Sequence, residues 1–100
     1  MDAHVIEKDR SAVIELSGRF DFNAHRAFRG AMDRALGMDV EGVRIDMERV
    51  PYLDSSALGM LLMLRDKALG RNWSVELCGA EGNVRQVLDI ANFDRLFAIS

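Results

Sequence analysis

Two hydrophobic periods alternate along the chain, one of two residues and one of three to four. His4 to Glu7 reads as a short strand and Lys8-Asp9-Arg10-Ser11 as a turn. Ala12 to Leu16 is a stronger strand, with Ala12, Ile14 and Leu16 on one face and Val13 and Glu15 on the other. So short a link between two strands predicts an antiparallel pair. Asn23 is a good helix N-cap, and Ala24, Ala27, Phe28, Ala31, Ala35 and Leu36 then fall at helical spacing up to Gly37. Gly30 inside this helix should cost about 0.5–1 kcal/mol against Ala, with close packing the expected reason. Val43, Ile45 and Met47 alternate with Arg44, Asp46 and Glu48, which predicts a strand with one buried face, ended by Pro51. An apolar helix follows from Ser55 or Ser56 to Leu69, stopped by Gly70. Ser74 to Cys78 is the next strand, with Val75 and Leu77 inward. Glu81 to Ala91 is a helix with Val84, Val87, Leu88 and Ala91 on one stripe, Asn92-Phe93-Asp94 a turn, and Leu96 to Ile99 a short last strand.

The order β-β-α-β-α-β-α, with a terminal strand, calls for an α/β fold. The expected form is a mixed, mostly parallel sheet of four to five strands, packed with three to four helices through right-handed crossovers. Loops that follow parallel strands collect along one edge of such a sheet. Asp21 follows the second strand and Asp54-Ser55-Ser56 follows the third, so these residues are expected on the same edge.

Composition narrows the function classes. One hundred residues argue for one domain, 1–100, and 49% hydrophobic with 29% charged residues is ordinary for a soluble protein. A net charge of −3 argues against a nucleic-acid partner, which needs a basic face. Cys78 is the only cysteine, which excludes an internal disulfide or a multi-cysteine metal site and fits a reducing cytosol. The N-terminus lacks the basic start and apolar run of a signal peptide, and no apolar stretch reaches about 18 residues. A cytoplasmic protein with no membrane insertion is the expectation.

The stretch from Pro51 to Leu69 carries the candidate chemistry. From Ala57 to Leu64 it has no charged or hydrogen-bonding side chain, and a small polar cluster stands at its head. Free N–H groups and the helix dipole at that end favour small capping oxygens and negative charge. Ser56 is therefore a helix cap or a tolerated site for a phosphate, and with two adjacent serines one can cap while the other reacts. Leu58, Leu61, Leu62 and Leu69 with Ala68 suit the core. Ser56, Gly59, Met60, Met63 and Lys67 then form a second stripe, expected to meet a partner through pliable Met side chains and a close approach at Gly59. Asp21 and Asp54 are candidate recognition residues. As paired carboxylates for acid–base work or Mg²⁺ they lack a third ligand and a phosphate-cradling glycine loop. Asp46 is expected on the open face or capping a loop, His4 and His25 in solvent, Trp73 at the core rim, and Cys78 as a small buried hydrophobe.

Several segments together resemble one family. They are Leu16-Ser17-Gly18-Arg19-Phe20-Asp21, Val43-Arg44-Ile45-Asp46-Met47, Tyr52-Leu53-Asp54-Ser55-Ser56-Ala57-Leu58-Gly59, and Val84-Arg85-Gln86-Val87-Leu88-Asp89 with Phe93-Asp94-Arg95-Leu96-Phe97. Over essentially its whole length the chain resembles the STAS domain, in the form of the single-domain anti-sigma factor antagonists of bacteria. The resemblance implies partner switching. A protein-serine kinase that also acts as anti-sigma factor binds the unphosphorylated chain and phosphorylates it, and a PP2C-like phosphatase restores it. The family's phosphoacceptor matches Ser56, and its acidic residues match Asp21 and Asp54. Asp21, Asp54, Ser55, Ser56, Gly59, Met60 and Met63 would meet the partner. The chain itself would hold no cofactor and would not be an enzyme, since the kinase supplies ATP. Ala57 stands where the family most often has glycine. Two rivals remain: a constitutive STAS adaptor of a lipid-transport ATPase complex, and a nucleotide-binding domain using the edge of Asp21 and Ser56, for which no P-loop or dinucleotide motif is present.

Overall fold

The computed structural model describes residues 1–100. Strands β1 (Asp2–Lys8) and β2 (Ser11–Ser17) pair antiparallel through a two-residue turn. Both turn residues take positive φ, 52° at Asp9 and 65° at Arg10, which matches the twist of the strands they join. Strands β3 (Gly42–Arg49), β4 (Ser74–Cys78) and β5 (Ala98–Ile99) add in parallel, giving the order β1-β2-β3-β4-β5. Helices α1 (His25–Leu36), α2 (Ser55–Leu69) and α3 (Gly82–Ile90) are the crossovers. A strand order that always advances in one direction, with right-handed crossovers, puts all three helices on one face.

Burial follows from that layering. The register sets Ile14 beside Ile45 and Ile45 beside Leu77, and all three are fully buried under the helices. Their strand neighbours Glu15, Arg44, Asp46 and Glu76 point to the uncovered face, where Arg44 and Glu76 pair at 2.8 Å. Cys78 belongs to that uncovered face and is only half-buried, so it is not the core residue expected from its apolar character. Its thiol donates to the carbonyl of Ile45 at 3.5 Å. Burial, and then the carboxylates of Asp46 and Glu76, push that thiol's pKa up, with Arg44 opposing. Trp73 is buried at the rim with the Arg71 guanidinium 5.5 Å from its ring centre, and His4 and His25 are exposed.

The last strand is shorter than the sequence suggests. A 3-10 turn at Phe93–Arg95 draws the Leu96 N–H back to the Phe93 carbonyl at 3.0 Å, so pairing starts only at Ala98. Close packing is not the reason for Gly30. A methyl group there would meet only Arg34 Nη1, at an ordinary 3.7 Å.

Candidate functional site

The loops after β2 and β3 are joined by their backbones. Gly18 N–H donates to Arg49 O at 3.0 Å, Phe20 N–H to Tyr52 O at 2.9 Å, and Asp54 N–H to Phe20 O at 3.3 Å. Phe20 and Leu53 thus form a parallel bridge beyond the ends of the strands. Both are buried, and Phe20 packs on Phe28 of α1 with ring centres 5.1 Å apart. Extended chain alternates faces, so Arg19, Asp21, Tyr52 and Asp54 turn away from the core together. The shared edge expected for Asp21 and the serines is therefore present.

Each aspartate holds a turn. Asp21 Oδ1 accepts from Asn23 N–H at 3.0 Å and caps a 3-10 turn, Phe22–Ala24, that leads into α1. Asn23 lies inside this turn and is not the cap that the sequence suggested. Asp54 has extended backbone, φ −120° and ψ −174°, and its Oδ1 accepts from Ala57 N–H at 3.0 Å. It is the N-cap of α2, so neither serine is needed for that role. Ser55 and Ser56 occupy the first two helical positions, are exposed, and neither hydroxyl is taken up in a hydrogen bond.

The phase of α2 differs from the expected one. Its buried arc is Ala57, Met60, Leu61, Leu64 and Ala68. Met60 is 4% exposed and belongs to the core, so it offers no surface to a partner. Leu69 is exposed and Leu58, Leu62 and Met63 are half-buried. At 100° per residue, Ser56, Met63 and Lys67 share one flank of the buried arc, and Leu58, Leu62 and Arg65 the other. Arg65 Nε reaches the Leu96 carbonyl at 2.7 Å, which sets the second flank toward the C-terminal turn and the first toward α1. Gly59 and Ser55 lie on the crest, in solvent. Ala57 packs fully into the core, so its methyl does not stand between Ser56 and a partner.

Arg19, Tyr52 and Phe22 also belong to the site, although no capping or spacing signal singles them out in the sequence. Arg19 lies with its guanidinium 4.1 Å from the Tyr52 ring centre and its Nε 3.6 Å from Asp21 Oδ2. Phe22, beside Asp21 in a turn that packs against α2, is 68% exposed. An aromatic residue inside the polar run Asp21-Phe22-Asn23 was the available signal. No group of three or more His, Cys, Asp or Glu side chains is placed to hold a metal ion. The larger surface depression, about 340 Å³, lies on the uncovered sheet face among His4, Glu15, Asp46 and Arg49, away from the serines. No helix is long and apolar enough to cross a membrane.

Comparison with known proteins agrees with this architecture. The family model described as Mlab, STAS domain matches residues 3–98. A STAS-domain-containing protein of Pseudomonas aeruginosa strain UCBPP-PA14 is 47% identical over 87 residues, covering 87% of this chain and 85% of that one. Among solved structures, an anti-sigma-factor antagonist (STAS) domain protein from Planctomyces limnophilus superposes with a TM-score of 0.87 at 18% identity, over 99% of this chain and 89% of that chain. The Bacillus cell fate determinant SpoIIAA, in its phosphorylated form, superposes with a TM-score of 0.73 at 19% identity, over 98% and 90%. Sequence motif, strand order and relatives converge, and the chain belongs to the STAS domain family.

Proposed function

We propose that this chain is a partner-switching regulator of the anti-sigma factor antagonist kind, with Ser56 as the phosphoacceptor. The observation that carries it is the division of labour at the head of α2. Asp54 caps the helix, which leaves the Ser56 hydroxyl exposed and uncommitted. A phosphate there adds about −1.5 to −2 charge and three acceptor oxygens without removing a cap. The helix dipole tolerates that charge within the chain. At a protein contact the same charge must be desolvated, and this weakens binding.

In the unphosphorylated state the serine edge binds a protein-serine kinase of the anti-sigma type, and a PP2C-like phosphatase resets it. Ser55, Ser56 and Gly59 offer a close approach, Asp21 and Asp54 fix the two loops, and half-buried Met63 with exposed Phe22 supplies apolar contact. Phe22 takes the place that Met60 vacates by turning inward.

Affinity purification from the native cell, run in parallel with wild type, Ser56→Ala and Ser56→Asp, tests the switch. A kinase-like partner held by the first two and lost from the third is the expected result. One partner retained equally by all three would instead make the chain a constitutive adaptor.

A further inference from the structure

Helices α1 and α2 together carry five cations and two carboxylates, in a chain whose net charge is −3. Two of the five are anchored: Arg34 donates to the Ala3 carbonyl at 3.2 Å and Arg65 to the Leu96 carbonyl. Arg26 and Arg29 are exposed and form no ion pair or hydrogen bond. The position of Arg26 is unfavourable for the free protein. It lies in the first turn of α1, which has no acidic residue, so the helix dipole opposes it, whereas Arg29 lies in the second turn with Asp33 four residues on.

Phase and topology put these arginines at the same edge of the sheet as the serines. Arg34 marks the flank of α1 that faces β1. Arg29 lies about 140° round the helix from it, toward α2, and Arg26 lies on the outer crest between them. Ser56 is on the flank of α2 that faces α1. Both helices start where parallel neighbouring strands end, so their positive ends share one edge. The carboxylates of that edge, Asp21 and Asp54, are held by backbone N–H groups, and Arg19 approaches Asp21.

We infer that Arg26 and Arg29 form the cationic part of the docking surface headed by Ser56, and that its occupant is an acidic segment of the protein partner. This rests on the switch proposed above and adds the partner's chemistry. Two unpaired arginines on a chain of net −3 suit a short run of Asp and Glu, whereas a polyanion or an anionic membrane would meet the acidic remainder of the surface. Phosphate on Ser56 would put negative charge at the same edge, cancel the field of the arginines and repel the acidic segment. Arg26, held at the positive end of a helix, thus serves binding at the expense of the free fold.

The test is an amide chemical-shift titration of the full chain with a short glutamate-rich peptide, with duplex DNA and phosphatidylglycerol vesicles as parallel arms. The peptide should shift amides in the first turns of α1 and α2. It should bind about tenfold more weakly to the Arg26→Glu/Arg29→Glu double variant and at high salt. The Arg26→Glu single variant should bind the peptide more weakly while unfolding at no lower a temperature than wild type, which separates lost binding from lost fold. Equal binding by the double variant, shifts confined to the uncovered sheet face, or tighter binding of DNA or vesicles at the same amides would overturn the assignment. A peptide that binds Ser56→Asp as well as wild type would leave the acidic docking surface standing and count against the switch alone.

Discussion

The backbone N–H of Asp54 donates to the carbonyl of Phe20 at 3.3 Å, and this bond places the head of α2 against the loop that begins α1. Asp54 then turns its side chain forward to cap α2 at Ala57. One residue both joins the two loops and frees the serines beside it. Asp54→Ala should cost about 1 kcal/mol in chemical denaturation, and Asp54→Asn should recover most of it, since Asn caps equally well. Equal losses for both variants would mean that the capping bond is not what Asp54 contributes.

Met60 separates core from interface. Its burial in the core makes Met60→Ala a cavity mutation, expected to cost about 2–5 kcal/mol. Half-buried Met63→Ala should cost distinctly less and weaken partner binding instead. Thermal unfolding of the two variants side by side checks the assignment. A mild loss at Met60 would return that side chain to the surface.

The glycines of the two helices make a matched pair. An added methyl at Gly59 meets nothing within 4 Å, and at Gly30 only the end of Arg34. Each Gly→Ala change should therefore stabilise the free chain by about 0.5–1 kcal/mol. Only Gly59→Ala should weaken the partner, because only Gly59 lies one turn beyond Ser56 on the exposed surface. Loss of binding in both variants would point to a change in the helices and not to a close approach at Gly59.

Cys78 gives a pH dependence with a definite sign. Burial, and the carboxylates of Asp46 and Glu76, raise its pKa in the folded chain. Above an unfolded thiol pKa of about 8.5 the unfolded chain loses this proton first. Stability should then fall as pH rises from there toward the folded pKa, and be unaffected by this group below it. Cys78→Ala should remove that part of the alkaline slope. An unchanged slope in the variant would assign it elsewhere.

How much of this was legible in the sequence depended on how each element is buried. Val43, Ile45 and Met47 announced themselves because β3 buries one face only, so polar residues mark the other. Helix α2 lacked such markers. From Ala57 to Leu64 no charge or amide fixes its phase, and the buried arc is set by what flanks it. Met60 and Leu69 consequently exchanged places with respect to expectation. The caps were ambiguous for a different reason. Asp21 and Asn23, like Asp54, Ser55 and Ser56, are all competent caps, and only the backbone bridge between Phe20 and Leu53 selects the aspartates. The shared edge itself was legible, since strand order alone fixes it.

Phosphopeptide mapping of the chain isolated from its native cell, before and after the partner is removed, tests whether Ser56 is the switch. The expected result is a phosphate on Ser56 that disappears with the partner, with Ser55 unmodified. Phosphate on Ser55 alone, or no phosphate in any condition while a partner stays bound, would contradict Ser56 as the switch.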